Sequence, residues 1–337
     1  MFVMQNIINS VVRIGNQEKL NILTLCNHHE KYISTLCETD HNFYIPISDS
    51  SSTWVKETCS VPKNLRLLGP RDFTPLSFDF IICHDRLEQY NEAHRLAHLM
   101  HLPLILVDHC GASTVKNRPF GINFSVDTPE NLVKMPTATV SLSSSISKSW
   151  PKNGLDLVIP LGVDTERFSP RNCRSKSEPG VFNEPLSPTR IVFDNAVTPE
   201  AASAIFGGLG KTQYSVLPTD SDVVQKEEIY REGDYFINSY TSITVKLAEA
   251  MACETVPICF RTPESQDFIE HGTDGFIIDT SLELLPLLKA LDEDEDMRRE
   301  VGKNAREKIV QNHSLGAFTS KWTHIFNYMK SQFHSLQ

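Results

Sequence analysis

The sequence predicts an α/β protein built from two Rossmann-like domains. Three observations support this prediction: short apolar runs alternate with helical segments, polar residues follow several of the runs, and a stretch without periodicity divides the pattern in two. The chain has 337 residues, which is long for one core and sufficient for two ordinary domains. Its 40% hydrophobic and 22% charged residues are typical of a globular protein.

In the first half, apolar runs predict parallel strands, and amphipathic segments between them predict helices. The first unit is a strand over 21–26, a helix over 31–40 and a strand over 43–45. Helices over 87–101 and 143–148 follow, together with further strands over 78–83, 104–107, 138–142 and 157–159.

The segment 169–189, rich in Pro, Ser, Arg and Glu, predicts a linker or exposed loop. After it the pattern restarts with strands over 190–193, 214–217, 235–237, 256–260 and 275–278. Helices are predicted near 199–206 and over 243–252, 281–292, 294–312 and 316–333. We therefore predict an N-terminal domain at 1–165 and a C-terminal domain at 166–315, with the last helix as a candidate to pack back on the first domain.

Composition argues against several classes of protein. The net charge of −10 and the pI of about 5.6 provide no basic footprint for nucleic acid, which weighs weakly against a DNA partner. None of the eight cysteines forms a C-x-x-C pair or a zinc-type cluster with histidine. Cysteines inside apolar runs are expected to be buried, reduced thiols: Cys26, Cys83, Cys253 and Cys259.

The N-terminus lacks the basic region of a signal peptide, and no apolar run is long enough to span a membrane. The segment 87–101 is only mildly amphipathic, which disfavours tight membrane association. We expect a cytoplasmic or otherwise intracellular protein.

Three motifs occur in order along the chain. Residues 159–170, IPLGVDTERFSP, agree at eleven of twelve positions with a hinge segment written IPNGVDTERFSP. Residues 245–258, VKLAEAMACETVPI, and 267–278, DFIEHGTDGFII, follow it. All three resemble the large retaining nucleotide-sugar glycosyltransferases of group 1 (family 4-like). The resemblance implies a GT-B fold, in which two Rossmann-like domains face a cleft.

The resemblance also implies a donor site on the C-terminal domain. Glu249 would accept hydrogen bonds from the donor ribose, because a carboxylate suits a diol. Lys246 would neutralise the donor diphosphate, which would lie near the N-terminus of the same helix. The further donor-binding candidates are Ser239, Ser242, Thr244, Arg261 and Thr262. The alternatives to donor binding stay open: Ser242 as an N-cap, Lys246 and Arg261 as surface residues, and Glu249 as a residue that faces solvent.

In the first domain, histidines follow the predicted strands. His109 lies where relatives carry a histidine near the reacting sugar, so it is a catalytic candidate. The acceptor-binding candidates are His28, His29, His84 and Asp85. An ordinary structural role stays open for each of them.

The sequence also departs from the family pattern. Thr241, the second catalytic candidate, stands where the first glutamate of a Glu-x7-Glu motif is usual, and Glu254 replaces a usual glycine. The usual basic pair is missing from 193–200, so Lys246, Arg261 and Lys211 are the available cations. No D-x-D motif follows an N-domain strand, and we expect neither a metal nor a cofactor.

We therefore expect a hexosyl- or pentosyltransferase that moves a sugar from a donor such as a UDP- or GDP-sugar to a hydroxyl, with retention and without metal. The acceptor stays open among glycans, small molecules, lipids, proteins and the hydroxymethylated DNA bases that some phage enzymes modify. The sequence is also compatible with a non-catalytic nucleotide-sugar or glycan-binding protein and with a GT-B sugar epimerase.

Overall fold

A computed structural model describes most of the chain. The described residues are 19–26, 29–47, 54, 59–69, 77–84, 89–109, 111, 136–150, 154–170, 190–193, 213–216, 223–239 and 242–334. The chain divides into two compact units, the first of residues 1–160 with 318–337 and the second of residues 161–317. Each unit contains one sheet of parallel strands.

The first unit has a seven-stranded sheet in the order β3-β2-β1-β4-β5-β6-β7. From β1 the chain builds outward to β3, and it then returns to place β4 on the other side of β1. Parallel α/β sheets bind ligands beyond the carboxyl ends of the strands at such a reversal. The strands are β1 (Asn21–Leu25), β2 (Asn42–Pro46), β3 (Leu65–Leu68), β4 (Phe80–Cys83), β5 (Leu104–Asp108), β6 (Ala138–Ser141) and β7 (Leu155–Val158).

Within the described residues, three α-helices connect these strands: α1 (Glu30–Leu36), α2 (Tyr90–Met100) and α3 (Ser144–Ser149). Helix α2 packs on the sheet through Tyr90, Ala93 and Ala97, which share one face of the helix. The Ser143 hydroxyl caps α3 by accepting a hydrogen bond from the Ile146 amide at 3.2 Å.

The second unit has a five-stranded sheet in the order β12-β11-β10-β8-β9. Here the reversal lies between β8 and β10, so the segment after β10 begins at a ligand-binding edge. The residues after β8 lie outside the described part of the chain. The strands are β8 (Arg190–Phe193), β9 (Gln213–Val216), β10 (Tyr235–Asn238), β11 (Val256–Phe260) and β12 (Phe276–Ile278).

Helix α5 (Val245–Ala252) lies in the core of the second unit. Residues 247–252 of α5 are buried, and they pack against Ala305 and Ile309 of α8. The Arg306 side chain donates a hydrogen bond to the Ala252 carbonyl, which satisfies one of the carbonyls left open at the end of α5. The helices are α4 (Val223–Glu232), α5 (Val245–Ala252), α6 (Pro263–Phe268), α7 (Leu284–Glu293) and α8 (Glu295–His313).

The last helix, α9 (Leu315–His334), places an aromatic face in the core of the first unit. Phe318, Trp322 and Phe326 recur every four residues, so they lie on one face of the helix, and all three are fully buried. Phe318 meets Tyr32 edge-on at 5.6 Å, and Phe326 stacks on Phe80 at 6.0 Å. These contacts attach the C-terminal end of the chain to the first sheet.

The predicted fold class is confirmed: the chain is an α/β protein with two Rossmann-like sheets. Three elements were not predicted. Strand β3 carries the exposed Arg66 between leucines, helix α4 is mostly polar, and α6 begins at Thr262-Pro263, where the sequence pattern indicates a loop. The helix predicted near 199–206 and most of the predicted linker lie outside the described residues.

Cys26, Cys83, Cys253 and Cys259 are buried reduced thiols, as predicted. Burial is the main cause that raises the pKa of Cys26 and of Cys253 to about 12, so these thiols stay protonated. No helix within the described residues is both long and apolar enough to span a membrane.

Candidate functional site

Three histidines lie together at the carboxyl edge of the first sheet. His84 and His109 directly follow β4 and β5, and His29 precedes α1 in the segment after β1. Because β1, β4 and β5 are parallel neighbours, these positions meet in space. The rings of His29 and His109 stack with centroids 3.9 Å apart, and His84 Nδ1 lies 3.1 Å from His109 Nε2. We call His29, His84 and His109 the histidine cluster.

Burial keeps two of these histidines uncharged. The side chain of His84 is 1% exposed, and burial holds its pKa well below the ordinary value, with repulsion from His29 adding to the effect. The pKa of His109 is lowered in the same way, by burial first and then by His29 and His84. A neutral imidazole has one donor and one acceptor nitrogen, so the cluster is suited to hydrogen bonds with hydroxyl groups.

Tyr32 of α1 supports the cluster from one side. Its ring meets the His84 ring edge-on at 5.4 Å and the His109 ring at 4.8 Å, and it also contacts Phe318. Burial raises the pKa of Tyr32, so the ring acts as a neutral packing surface. No sequence pattern indicated Tyr32, because its role depends on the packing of α1 and α9.

The histidine rings meet through a stacked pair and one nitrogen–nitrogen contact. Within the described residues, no group of three or more His, Cys, Asp or Glu is arranged to hold a metal ion. Two acceptor-binding candidates, His28 and Asp85, lie outside the described part of the chain.

On the second unit, Asn238 organises the segment after β10. Its side chain is 1% exposed, and its amide nitrogen donates a hydrogen bond to the Ser242 carbonyl at 3.3 Å. Its amide oxygen accepts from the Thr244 hydroxyl at 3.4 Å. Ser242 and Thr244 are therefore tied back to the end of β10. The catalytic candidate Thr241 lies outside the described residues.

The N-terminus of α5 is closed by two side chains. Thr244 is its N-cap and accepts from the Leu247 amide at 3.3 Å, so the N-cap is Thr244 rather than Ser242. The preceding amide, of Ile243, donates to Oε2 of the buried Glu264 at 3.3 Å. A carboxylate from α6 thus already occupies one amide at the helix end, where anions bind favourably.

Helix α5 carries the two other principal donor candidates. The Glu249 side chain is only 1% exposed, so it does not face solvent, and its Oε2 accepts a hydrogen bond from the Tyr230 hydroxyl at 3.4 Å. Lys246 lies in the first turn of α5 and is partly exposed. On the same helix, the Glu249 carboxylate is therefore buried, whereas Lys246 is partly exposed.

Arg261 and Thr262 follow β11, and both already have protein partners. The exposed Arg261 forms an ion pair with Asp279, with 2.5 Å between Nε and Oδ1. This pair lowers the pKa of Asp279 through a hydrogen bond and charge attraction. The Thr262 hydroxyl caps α6 by accepting from the Ser265 amide at 3.0 Å. Lys211, another candidate cation, lies outside the described residues.

The comparisons with known proteins agree with this architecture. A family model described as glycosyl transferase-like matches residues 216–322, which contain β10, α5 and β11. The HepE protein of Anabaena, solved with UDP and glucose, is 13% identical, with a TM-score of 0.67 over 92% of this chain and 100% of that one. The chain therefore has the GT-B fold, and its residues 216–322 resemble a glycosyl transferase.

Two further solved structures share the fold of this chain. Sucrose-phosphate synthase from Thermosynechococcus elongatus is 14% identical, with a TM-score of 0.68 over 93% of this chain and 100% of that one. A glycosyltransferase from Rickettsia africae is 13% identical, with a TM-score of 0.64 over 93% of this chain and 99% of that one. No curated protein sequence matches the chain.

The site candidates fall into two groups. The first unit brings together three of the predicted histidines, and the second unit collects the polar residues around the N-terminus of α5. Four residues around these groups were not predicted: Tyr32, Tyr230, Asn238 and Glu264. Asn238 could have been predicted from the sequence, because it is a polar residue at the end of a buried strand. The other three residues could not, because their roles depend on tertiary contacts.

Proposed function

We propose that this glycosyltransferase moves a sugar from a nucleotide diphosphate sugar to an acceptor hydroxyl, with retention at the anomeric carbon and without metal or other cofactor. The observation that carries the proposal is the buried carboxylate of Glu249 on α5, the helix that begins after β10. The Tyr230 hydroxyl, on α4, donates a hydrogen bond to this carboxylate. A desolvated carboxylate accepts hydrogen bonds in a fixed direction, and a ribose diol offers two donors.

The donor diphosphate needs positive charge beside it as it leaves. Lys246, in the first turn of α5, is proposed for this role, with hydroxyls of Ser239 and Ser242 as further contacts. Arg261 joins only if the diphosphate competes successfully with Asp279. The Thr244 and Thr262 hydroxyls already cap helices, so their proposed role is to shape the backbone. A UDP-sugar is a reasonable first donor, because HepE, which shares the fold, was solved with UDP and glucose.

The histidine cluster is proposed to meet hydroxyl groups. His109 is the catalytic candidate there, and His29 and His84 lie within ring contact of it. Neutral imidazoles suit an uncharged sugar or acceptor better than a phosphate. In the transfer, the acceptor oxygen replaces the diphosphate oxygen at the anomeric carbon, and the acceptor proton leaves with the nucleoside diphosphate.

The test uses the full-length chain with a panel of UDP-, GDP- and ADP-sugars, in the presence and absence of EDTA. Glycans, small alcohols and hydroxymethylated DNA serve as acceptors, and NMR of the product gives the anomeric configuration. Glu249→Ala should lower turnover at least tenfold, because it removes hydrogen bonds to a charged group. If no nucleotide sugar binds and Glu249→Ala changes nothing, the proposal fails.

Three results would indicate a different function or mechanism. Calorimetric binding of a donor without any turnover would identify a nucleotide-sugar binding protein instead of a transferase. An altered free sugar formed without acceptor would indicate an epimerase. Loss of activity in EDTA, followed by its recovery when Mg²⁺ is added, would contradict the metal-independent mechanism.

A further inference from the structure

We propose that His84 is a positioning residue, which fixes the His109 ring through one shared proton so that His109 presents Nδ1 to an uncharged sugar or acceptor hydroxyl. The inference rests on the proposed sugar transfer. It adds a residue that acts through His109, together with the atom of His109 that contacts the substrate.

The assignment of the nitrogens follows from one distance. His84 Nδ1 and His109 Nε2 are 3.1 Å apart, so one proton lies between them and one of the two nitrogens donates. This contact uses Nε2 of His109, which leaves Nδ1 as the ring nitrogen that can serve a substrate. The stacked His29 ring and the edge of Tyr32 restrict the same ring from two further directions.

The buried position of His84 also determines the charge of the pair. Within the described residues, His84 Nε2 has no hydrogen-bond partner, although the side chain is almost fully buried. A charged His84 would carry N–H donors on both ring nitrogens, and the buried Nε2–H would have no acceptor within the described residues. Both rings of the pair are therefore neutral, which favours a hydroxyl partner over a phosphate.

The shared proton allows two forms of His109. When His84 Nδ1–H donates, His109 carries its own proton on Nδ1 and is a donor to the substrate. When His109 Nε2–H donates, its Nδ1 is bare and is an acceptor, and the neutral His84 then carries its own proton on the buried Nε2. A hydroxyl group has both a proton and lone pairs, so it can pair with either form.

The pair also predicts a pH dependence. The pKa of His109 is lowered by burial and by its two histidine neighbours, so the neutral form persists below the ordinary titration range. Removal of His84 admits water and removes one repelling ring. The pKa of His109 then rises, and its neutral form is lost at a higher pH. The ionisable side chains on the surrounding segments are Cys26, His29, Glu30, Tyr32, Cys83 and Asp108.

The test compares His84→Ala with His84→Asn, whose amide can replace Nδ1 as hydrogen-bond partner. His84→Ala should lower kcat about tenfold to a hundredfold, as for a misplaced catalytic group, with a smaller change in the donor KM. Its acid limb should move to higher pH, whereas His84→Asn should keep most of kcat. His98→Ala, which changes an exposed histidine on α2, is the matched control and should behave as the wild type.

A second measurement does not require turnover. In the ¹⁵N-histidine-labelled protein, NMR gives the protonation state of each His109 nitrogen against pH. A His109 titration that moves upward in His84→Ala, but not in His98→Ala, supports the inference even if no substrate pair is found. An unchanged titration overturns it, and so does equal loss of kcat in His84→Ala and His84→Asn. Absence of transfer with a shifted titration would reject the proposed function and leave the positioning role intact.

Discussion

The Tyr230 hydroxyl donates a hydrogen bond to Glu249 Oε2 at 3.4 Å, and this contact joins two helices through two buried side chains. A buried carboxylate is stable only when donors surround it. Tyr230 therefore orients one oxygen of the carboxylate that we propose for ribose binding. The ring of Tyr230 is itself held edge-on by Phe168 and Phe236, each with its centroid 6.0 Å away.

The first prediction concerns this hydroxyl. Tyr230→Phe keeps the ring packing and removes one hydrogen bond to Glu249, which is worth about 1 kcal/mol. The donor KM should rise about threefold to tenfold, with a smaller change in kcat, in steady-state kinetics over a donor titration. Tyr44→Phe, which removes a buried hydroxyl from the first unit, is the control and should leave the donor KM unchanged. Equal KM values for both variants would contradict the orienting role.

The second prediction tests Arg261. Its guanidinium pairs with Asp279 on the surface, so a donor diphosphate would compete with that carboxylate. Asp279→Asn removes the competing charge and should lower the donor KM about twofold to threefold at low salt, with the difference shrinking as salt screens the charges. The double variant with Arg261→Ala should lose this gain. If Asp279→Asn leaves the KM unchanged at low salt, Arg261 does not contact the donor.

The sequence pattern predicted every strand of the two sheets except β3, and it placed three candidate histidines at one edge of the first sheet. Strands such as Leu104–Asp108 are short, continuous apolar runs, and the histidines after them meet because parallel strands end at one edge. The contacts of Tyr230 and Glu264 could not be predicted in this way. Both depend on how α4 and α6 pack beside α5, which no local pattern specifies.

Glu254 is a single residue whose conformation the sequence predicts only in part. The resemblance marked it as a departure from a usual glycine, and the structure gives the reason for that glycine. Glu254 has φ +66°, and its amide bonds to the Met251 carbonyl while the Thr255 amide bonds to that of Ala250. These two bonds form a Schellman motif, whose left-handed residue is commonly glycine. The motif was visible in the sequence, but the strain was not.

The third prediction follows from this backbone conformation. Glu254→Gly removes the left-handed strain, partly offset by the greater entropy of glycine in the unfolded chain, and should stabilise the second unit by about 0.5–1 kcal/mol. The midpoint of thermal unfolding should rise by about 1–4 °C in calorimetry. Glu270→Gly, at a residue with negative φ, is the control and should not stabilise. A lower midpoint for Glu254→Gly would show that the Glu254 side chain contributes more than the strain costs.

The fourth prediction tests the close approach of α8 to the same turn. A Cβ added to Gly302 would lie 2.4 Å from the Glu254 carbonyl oxygen, so the helix and the turn would have to separate. Gly302→Ala should therefore destabilise the second unit by about 1–3 kcal/mol, although alanine favours helices elsewhere. Gly316→Ala, at a helical glycine with no atom in that position, is the control and should be neutral or stabilising in urea unfolding. Stabilisation by both substitutions would contradict the tight packing.

The last prediction concerns the attachment of α9 to the first unit. Trp322 is fully buried between Phe318 and Phe326, so Trp322→Ala leaves a large cavity and should cost about 3–5 kcal/mol in the free energy of unfolding. Tyr328→Ala, at a position of α9 that is 47% exposed, should stay within about 0.5 kcal/mol of the wild type. Urea unfolding followed by far-UV circular dichroism measures both, because this signal does not depend on the replaced indole. Equal, small changes in the free energy of unfolding for both variants would show that α9 adds little to the core.

The same substitution should also affect activity. Since Phe318 contacts Tyr32 under the histidine cluster, Trp322→Ala should reduce transferase activity together with stability.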